Sequence, residues 1–165
     1  MKIIGKYRPN VGIIICNYHG KLLLARRYGK KNSWQFPQGG IDDTETVNEA
    51  MYRELFEEVG LKKDDVRILA YTKYWIKYNI PKNLIRLNSI PLYIGQKQKW
   101  FLLKLMVSDK NINLNCNCIS EFDKWCWVNF WYPMKKIVFF KRHVYRKVLE
   151  DFFNVLFNFF MSLLF

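Results

Sequence analysis

Glu54, Glu57 and Glu58 stand at i, i+3 and i+4. On a helix this spacing gathers three carboxylates within about 100° of one another. Like charges so placed repel, and a chain that needs only a stable helix gains nothing from them. A divalent cation removes the conflict, because carboxylate oxygens are the hard donors that Mg²⁺ or Mn²⁺ prefers. Arg53 is adjacent and can hold a carboxylate through a paired contact. Taken alone, however, three glutamates on a helix are better read as a solvated face.

The distribution of charge sharpens the question. The chain of 165 residues carries a net +13, yet nine of its 14 acidic residues fall within residues 42–65. Only Arg53, Lys62 and Lys63 oppose them there. An acidic island in a basic chain suits a cation site facing a polyanionic substrate, although a solvated acidic helix fits the charge equally well. Lys outnumbers Arg 19 to 8 in a chain rich in Asn, Ile, Phe and Tyr, so part of the basic excess reflects an AT-rich coding bias.

Composition bounds the rest. A chain of this length that is 50% hydrophobic and 18% aromatic can bury a full core without disulfide or metal staples, and is not disordered. Cys16, Cys116, Cys118 and Cys126 form no zinc-ligand pattern and read as free thiols of a reducing compartment. The apolar run Val11–Cys16 is too short for a signal peptide, so a cytoplasmic location is expected.

The elements that must position the carboxylates are legible. Val11–Cys16 and Lys21–Ala25 read as a hairpin, and Trp34–Phe36 as a short extended piece before Pro37 and Gly39–Gly40. Thr46 can cap a helix, with Glu49 completing a capping box. Val47, Met51, Leu55 and Val59 make its apolar stripe, and Gly60 followed by Leu61 stops it. Strands are expected at Val66–Trp75, Trp100–Val107 and Trp125–Asn129, with a loop rich in Lys, Asn, Gln and Pro before Trp100. A helical turn follows at Pro133 and a final helix from about Lys141. The mixed order predicts a layered α/β class.

A longer string decides how the glutamates are read. Gly39 is followed after five residues by Glu45, and after seven more by Arg53-Glu54-Leu55-Phe56-Glu57-Glu58-Val59-Gly60-Leu61. This reproduces the box of the Nudix hydrolase family at every fixed position. The segments Tyr7–Gly12, Ala25–Arg27, Trp34–Gly40, Gly95–Phe101, Glu121–Asp123 and Trp131–Pro133 extend the resemblance over roughly residues 7–150. They resemble the branch of the family that acts on RNA 5′ ends, whose close relatives take dinucleoside polyphosphates.

The resemblance implies an α/β/α sandwich with a mixed sheet and the box helix against it. It implies a single domain over residues 1–165, with a core at about 7–150 and a hydrophobic helical tail at 151–165. Glu54, Glu57, Glu58 and Glu121 match metal-binding glutamates, and Arg53 joins them in the catalytic set. Gly39, Gly40, Glu45 and Gly60 match structural positions of the box. Arg8, Arg27, Gln96, Lys97, Lys99, Val138 and Phe140 match RNA contacts, with Phe140 and Arg27 on either side of a base. The implied cofactor is two or more divalent ions, Mg²⁺ first, with Mn²⁺ or Zn²⁺ as alternatives. The implied partner is an RNA 5′ end and not DNA. His19 and His143 match no catalytic position.

Three readings of function follow. The first is hydrolysis of a 5′-triphosphate RNA end to a 5′-monophosphate, which opens the transcript to decay. The second keeps the mechanism with a dinucleoside polyphosphate. The third, an inactive RNA-binding module, is disfavoured by the intact Glu54, Glu57, Glu58 and Glu121. The chain departs from the family at Asp42-Asp43-Thr44, near Lys31–Asn32, around Cys116 and Cys118, and in its last 14 residues, FFNVLFNFFMSLLF. That tail is too short to span a bilayer, which takes about 20 residues. Folding back over the sandwich and pairing with a second copy both remain open. Phe153, Phe157 and Phe160 favour a homodimer through the tail.

Overall fold

The computed structural model describes residues 5–163. Eight strands form one mixed sheet: β1 (Lys6–Cys16), β2 (Leu22–Arg27), β3 (Trp34–Gln35), β4 (Gln38–Gly40), β5 (Val66–Tyr71), β6 (Ile76–Asn79), β7 (Tyr93–Leu105) and β8 (Phe122–Val128). The helices are α1 (Val47–Val59), α2 (Pro133–Lys136) and α3 (Arg142–Ser162).

β1 and β7 run parallel through the middle of the sheet, from Lys6 opposite Tyr93 to Cys16 opposite Lys104. All other pairings are antiparallel. Both faces of this central pair are covered, which is why Val11–Cys16 reads as an unbroken apolar run. Val11, Ile13 and Ile15 turn to the α1 side with Met51, Leu55 and Val59. Ile14 and Cys16 turn to the α3 side with Trp100, Val148 and Leu149. The result is the expected α/β/α sandwich.

α1 forms as its sequence dictates. Thr46 and Glu49 make both bonds of the capping box, and Gly60 ends the helix in the left-handed region at φ 72°. The strands are less faithful to the sequence. The expected strand Val66–Trp75 stops at Tyr71, and β6 begins separately at Ile76. β7 starts at Tyr93, so Gln96–Lys99 lies in a strand and not in a loop. β8 begins at Phe122, three residues earlier than expected.

The tail also needs correction. α3 continues unbroken to Ser162, and Phe152 and Leu156 are buried in the α3-side core, so the core does not end at residue 150. Phe160 packs against that core as well. Phe153 stacks on Trp131 and Phe157 on Phe153, with both phenylalanines more than 40% exposed. No helix among the described residues is long and apolar enough to cross a membrane.

Candidate active site

α1 presents its glutamates to a cleft of about 730 Å³ bounded by the N-terminal halves of β1 and β7, by β4, and by the loop before β8. Arg53 organises the acidic wall. Its Nε and Nη2 grip both oxygens of Glu45 at 3.0 and 2.5 Å, and Nη2 also donates to the Gly40 carbonyl at 2.8 Å. Its Nη1 donates to Glu54 at 2.8 Å and to Glu57 at 3.2 Å. The paired contact holds the Glu45 carboxyl below its usual range and raises the already high proton affinity of Arg53. One guanidinium thereby ties the start of the box to two of its glutamates.

Glu54 and Glu58 are buried, and Glu58 accepts the Gln38 amide N–H at 2.8 Å. Burial pushes the Glu58 carboxyl well above the usual carboxylate range. The neighbouring Glu54, Glu121 and Glu57 add to this, while the Gln38 amide opposes it. Burial raises Glu54 too, against the pull of Arg53. Glu121 is exposed, lies just before β8 and lines the same cleft.

Among the described residues, no three His, Cys, Asp or Glu side chains close around a point where an ion could sit. The donor set nevertheless fits divalent ions. All four groups are hard oxygen donors, and a cation would relieve both the cost of burying the Glu58 charge and the repulsion from its neighbours that adds to its rise.

Gly39 is part of this arrangement. A Cβ at residue 39 would fall inside the Glu54 carboxylate. Gly39→Ala is therefore expected to displace Glu54 and lower turnover by about 10²-fold. Steady-state kinetics with a melting curve checks this, and wild-type turnover would show that Glu54 has room to move. At Gly40 a side chain would meet the Arg8 guanidinium and not the helix.

The opposite wall is basic. Arg8, Arg27 and Gln96 line the cleft, joined by Arg86 and Lys141. Lys141 was not anticipated. It is buried, donates to the Gln38 side chain at 3.3 Å and lies over the Tyr78 ring. Burial, helped by Arg27, lowers its pKa to about 8. Gln38 also meets Gln98, which donates to Asn10 at 2.7 Å, so a polar chain crosses the floor of the cleft. The only trace of Lys141 in the sequence is a cation directly after the Val138–Phe140 run.

Other expected contacts stand elsewhere. Lys97 and Lys99 project from β7 on the face opposite Gln96 and cover the Trp75 ring at 5.0 and 5.4 Å, outside the cleft lining. Val138 is exposed beside the 3₁₀ turn Phe139–Lys141. Phe140 is half-buried, with its ring 6.0 Å from that of Tyr78.

Known proteins match this chain closely. The NUDIX domain model matches residues 6–152. The RNA pyrophosphohydrolase of Hamiltonella defensa subsp. Acyrthosiphon pisum is 61% identical over 148 residues, covering 90% of each chain. That of Serratia proteamaculans is 61% identical over 146 residues, covering 88% of this chain and 83% of the relative. Among solved structures, the E. coli dihydroneopterin triphosphate pyrophosphohydrolase superposes with a TM-score of 0.68 at 18% identity, over 88% of this chain and 98% of its own. A C. elegans Ap4A hydrolase gives 0.65 at 20% identity, over 89% and 98%. At such identities the structures speak for the fold alone, and the matched model and the close relatives place this chain in the Nudix hydrolase family.

Proposed function

We propose that this protein is an RNA pyrophosphohydrolase that converts the 5′-triphosphate end of RNA to a 5′-monophosphate, in the cytoplasm, as a first step of transcript decay. The observation that carries the reading is the identity of about 60% to proteins of that name over nine-tenths of the chain. A cleft with carboxylates on one wall and Arg8, Arg27, Arg86 and Lys141 on the other supports it.

In this reading Glu54, Glu57, Glu58 and Glu121 hold divalent ions, Mg²⁺ first. Ions held by these residues would neutralise polyphosphate charge and lower the pKa of water. Arg53 keeps Glu54 and Glu57 aligned, and the Gln38 amide fixes Glu58. Glu54 or Glu121 takes the proton of the attacking water. Water oxygen bonds to phosphorus, the anhydride P–O bond between the α and β phosphates breaks, pyrophosphate is released, and the RNA keeps one phosphate. Arg8 and Lys141 bind phosphate oxygens, Arg27 holds the first base, and Phe140, next to Lys141 at the cleft edge, stacks on it.

Steady-state turnover of a 5′-triphosphate RNA and of diadenosine tetraphosphate, each with Mg²⁺, tests the substrate. The RNA is expected to give the higher kcat/KM, and a higher value for the dinucleotide would reassign it. Phe140→Ala is expected to raise KM for RNA about tenfold, the scale of one lost base stack, and to change hydrolysis of a free nucleoside triphosphate less. Equal losses on both substrates with a lowered Tm would mean that Phe140 serves only the core.

A further inference from the structure

The end of the sheet opposite the active site carries two cations side by side. Lys104 of β7 and Arg67 of β5 are direct cross-strand partners, a placement in which like charges repel. Lys104 is only 6% exposed. Its ammonium has no hydrogen-bond or ion-pair partner among the described residues, and meets the rings of Tyr18 and Phe160 at 5.0 and 5.5 Å. Burial lowers its proton affinity. The adjacent Cys16 supplies no counter-charge, because burial pushes its thiol up to about 12.

Lys104 and Arg67 line a cleft of about 520 Å³ with Tyr18, His19 and Asp109, under the last turns of α3. Asp109 is the one acid on this wall, and its carboxylate accepts the Trp127 indole N–H at 3.4 Å. The parallel register sets the distance from the active site. Arg8 pairs with Gln96 at one end of β1 and Cys16 with Lys104 at the other, eight residues or roughly 26 Å along the strand. A ligand here does not touch the catalytic glutamates.

An unpaired ammonium on a buried stem beside an exposed guanidinium, both lining the cleft, suits an anion. Tyr18, 71% exposed on the β1–β2 turn, adds an aromatic face at the mouth of the same cleft. An inorganic ion has no use for such a face, whereas a base stacks on it. We propose that this cleft is a second nucleotide site, with phosphate against Lys104 and Arg67 and the base on Tyr18. A free nucleoside phosphate and an internal nucleotide of an RNA share this chemistry.

AMP, which has no anhydride bond to hydrolyse, is the probe. Calorimetric titration of the full chain should show two equivalents, one of them shifting the amide resonances of Asn17–Gly20. Lys104→Met removes an unpaired charge and keeps the buried stem, so it should fold with a Tm at or above wild type. It should weaken the distal site by at least about tenfold and leave kcat on a triphosphate dinucleotide unchanged. Arg67→Gln, at an exposed position, gives the same reading should Lys104→Met fail to fold. Tyr18→Ala should weaken AMP but not inorganic phosphate. Displacement of distal AMP by a 5′-hydroxyl oligoribonucleotide would identify RNA as the occupant, and no displacement a free nucleotide. No AMP-dependent shift of the Asn17–Gly20 amides in the wild type, or unchanged distal binding in both cation variants, overturns the proposal.

Discussion

Glu58→Gln is expected to abolish hydrolysis and leave the fold intact. Glutamine keeps the shape of the side chain and an oxygen that can still accept the Gln38 amide N–H. The buried like-charge cluster loses one member, so Tm should hold or rise. Turnover should fall by at least about 10²-fold, since the missing charge is the one that anchors the electrostatics of the reaction. A melting curve beside single-turnover kinetics reads both effects. Wild-type turnover in a folded Glu58→Gln protein would remove Glu58 from the metal set. An unfolded variant would instead make Glu58 a structural residue.

Truncation after Glu150 is expected to unfold the protein. It removes Phe152 and Leu156, which are 3% and 5% exposed in the α3-side core. Losing a buried Phe costs about 3–5 kcal/mol and a buried Leu about 2–5, against a whole-domain stability of about 5–15. Leu156→Ala alone should lower Tm by roughly 10 °C. Phe157→Ala, at a position 55% exposed, should change stability by less than about 0.5 kcal/mol. That contrast separates the two sides of the tail helix. If the aromatic face of Phe153 and Phe157 pairs with a second copy, Phe157→Ala turns a dimer into a monomer on sizing. A truncated protein that melts cooperatively at the wild-type temperature would return the tail to a mere appendage.

Much of the site was legible because its determinants are local. The cap at Thr46, the stripe from Val47 to Val59 and the stop at Gly60 all lie within one helix, where spacing translates directly into geometry. The brace formed by Arg53, Glu45 and Gly40 follows from the same box. What the sequence hid is tertiary. β4 is three residues long and exists because it pairs with Asn10–Gly12 of β1. The early start of β7 comes from its parallel partner, and the pleat then splits Gln96 from Lys97 and Lys99. Lys141 reaches the cleft from a 3₁₀ turn, 80 residues beyond the last residue of the box, which no local pattern announces. The tail misled for another reason. Its apolar residues face both the core and solvent, so periodicity alone did not say which side was covered.

The most direct test of the reading is the chemical identity of the RNA end after reaction. A 5′-triphosphate transcript is incubated with the protein and Mg²⁺, then challenged with an exonuclease that degrades only 5′-monophosphorylated RNA. The wild-type protein should render the transcript degradable, and chelation of the metal or Glu58→Gln should leave it resistant. A transcript that stays resistant after treatment with the active protein, under conditions in which diadenosine tetraphosphate is hydrolysed, would contradict the assignment.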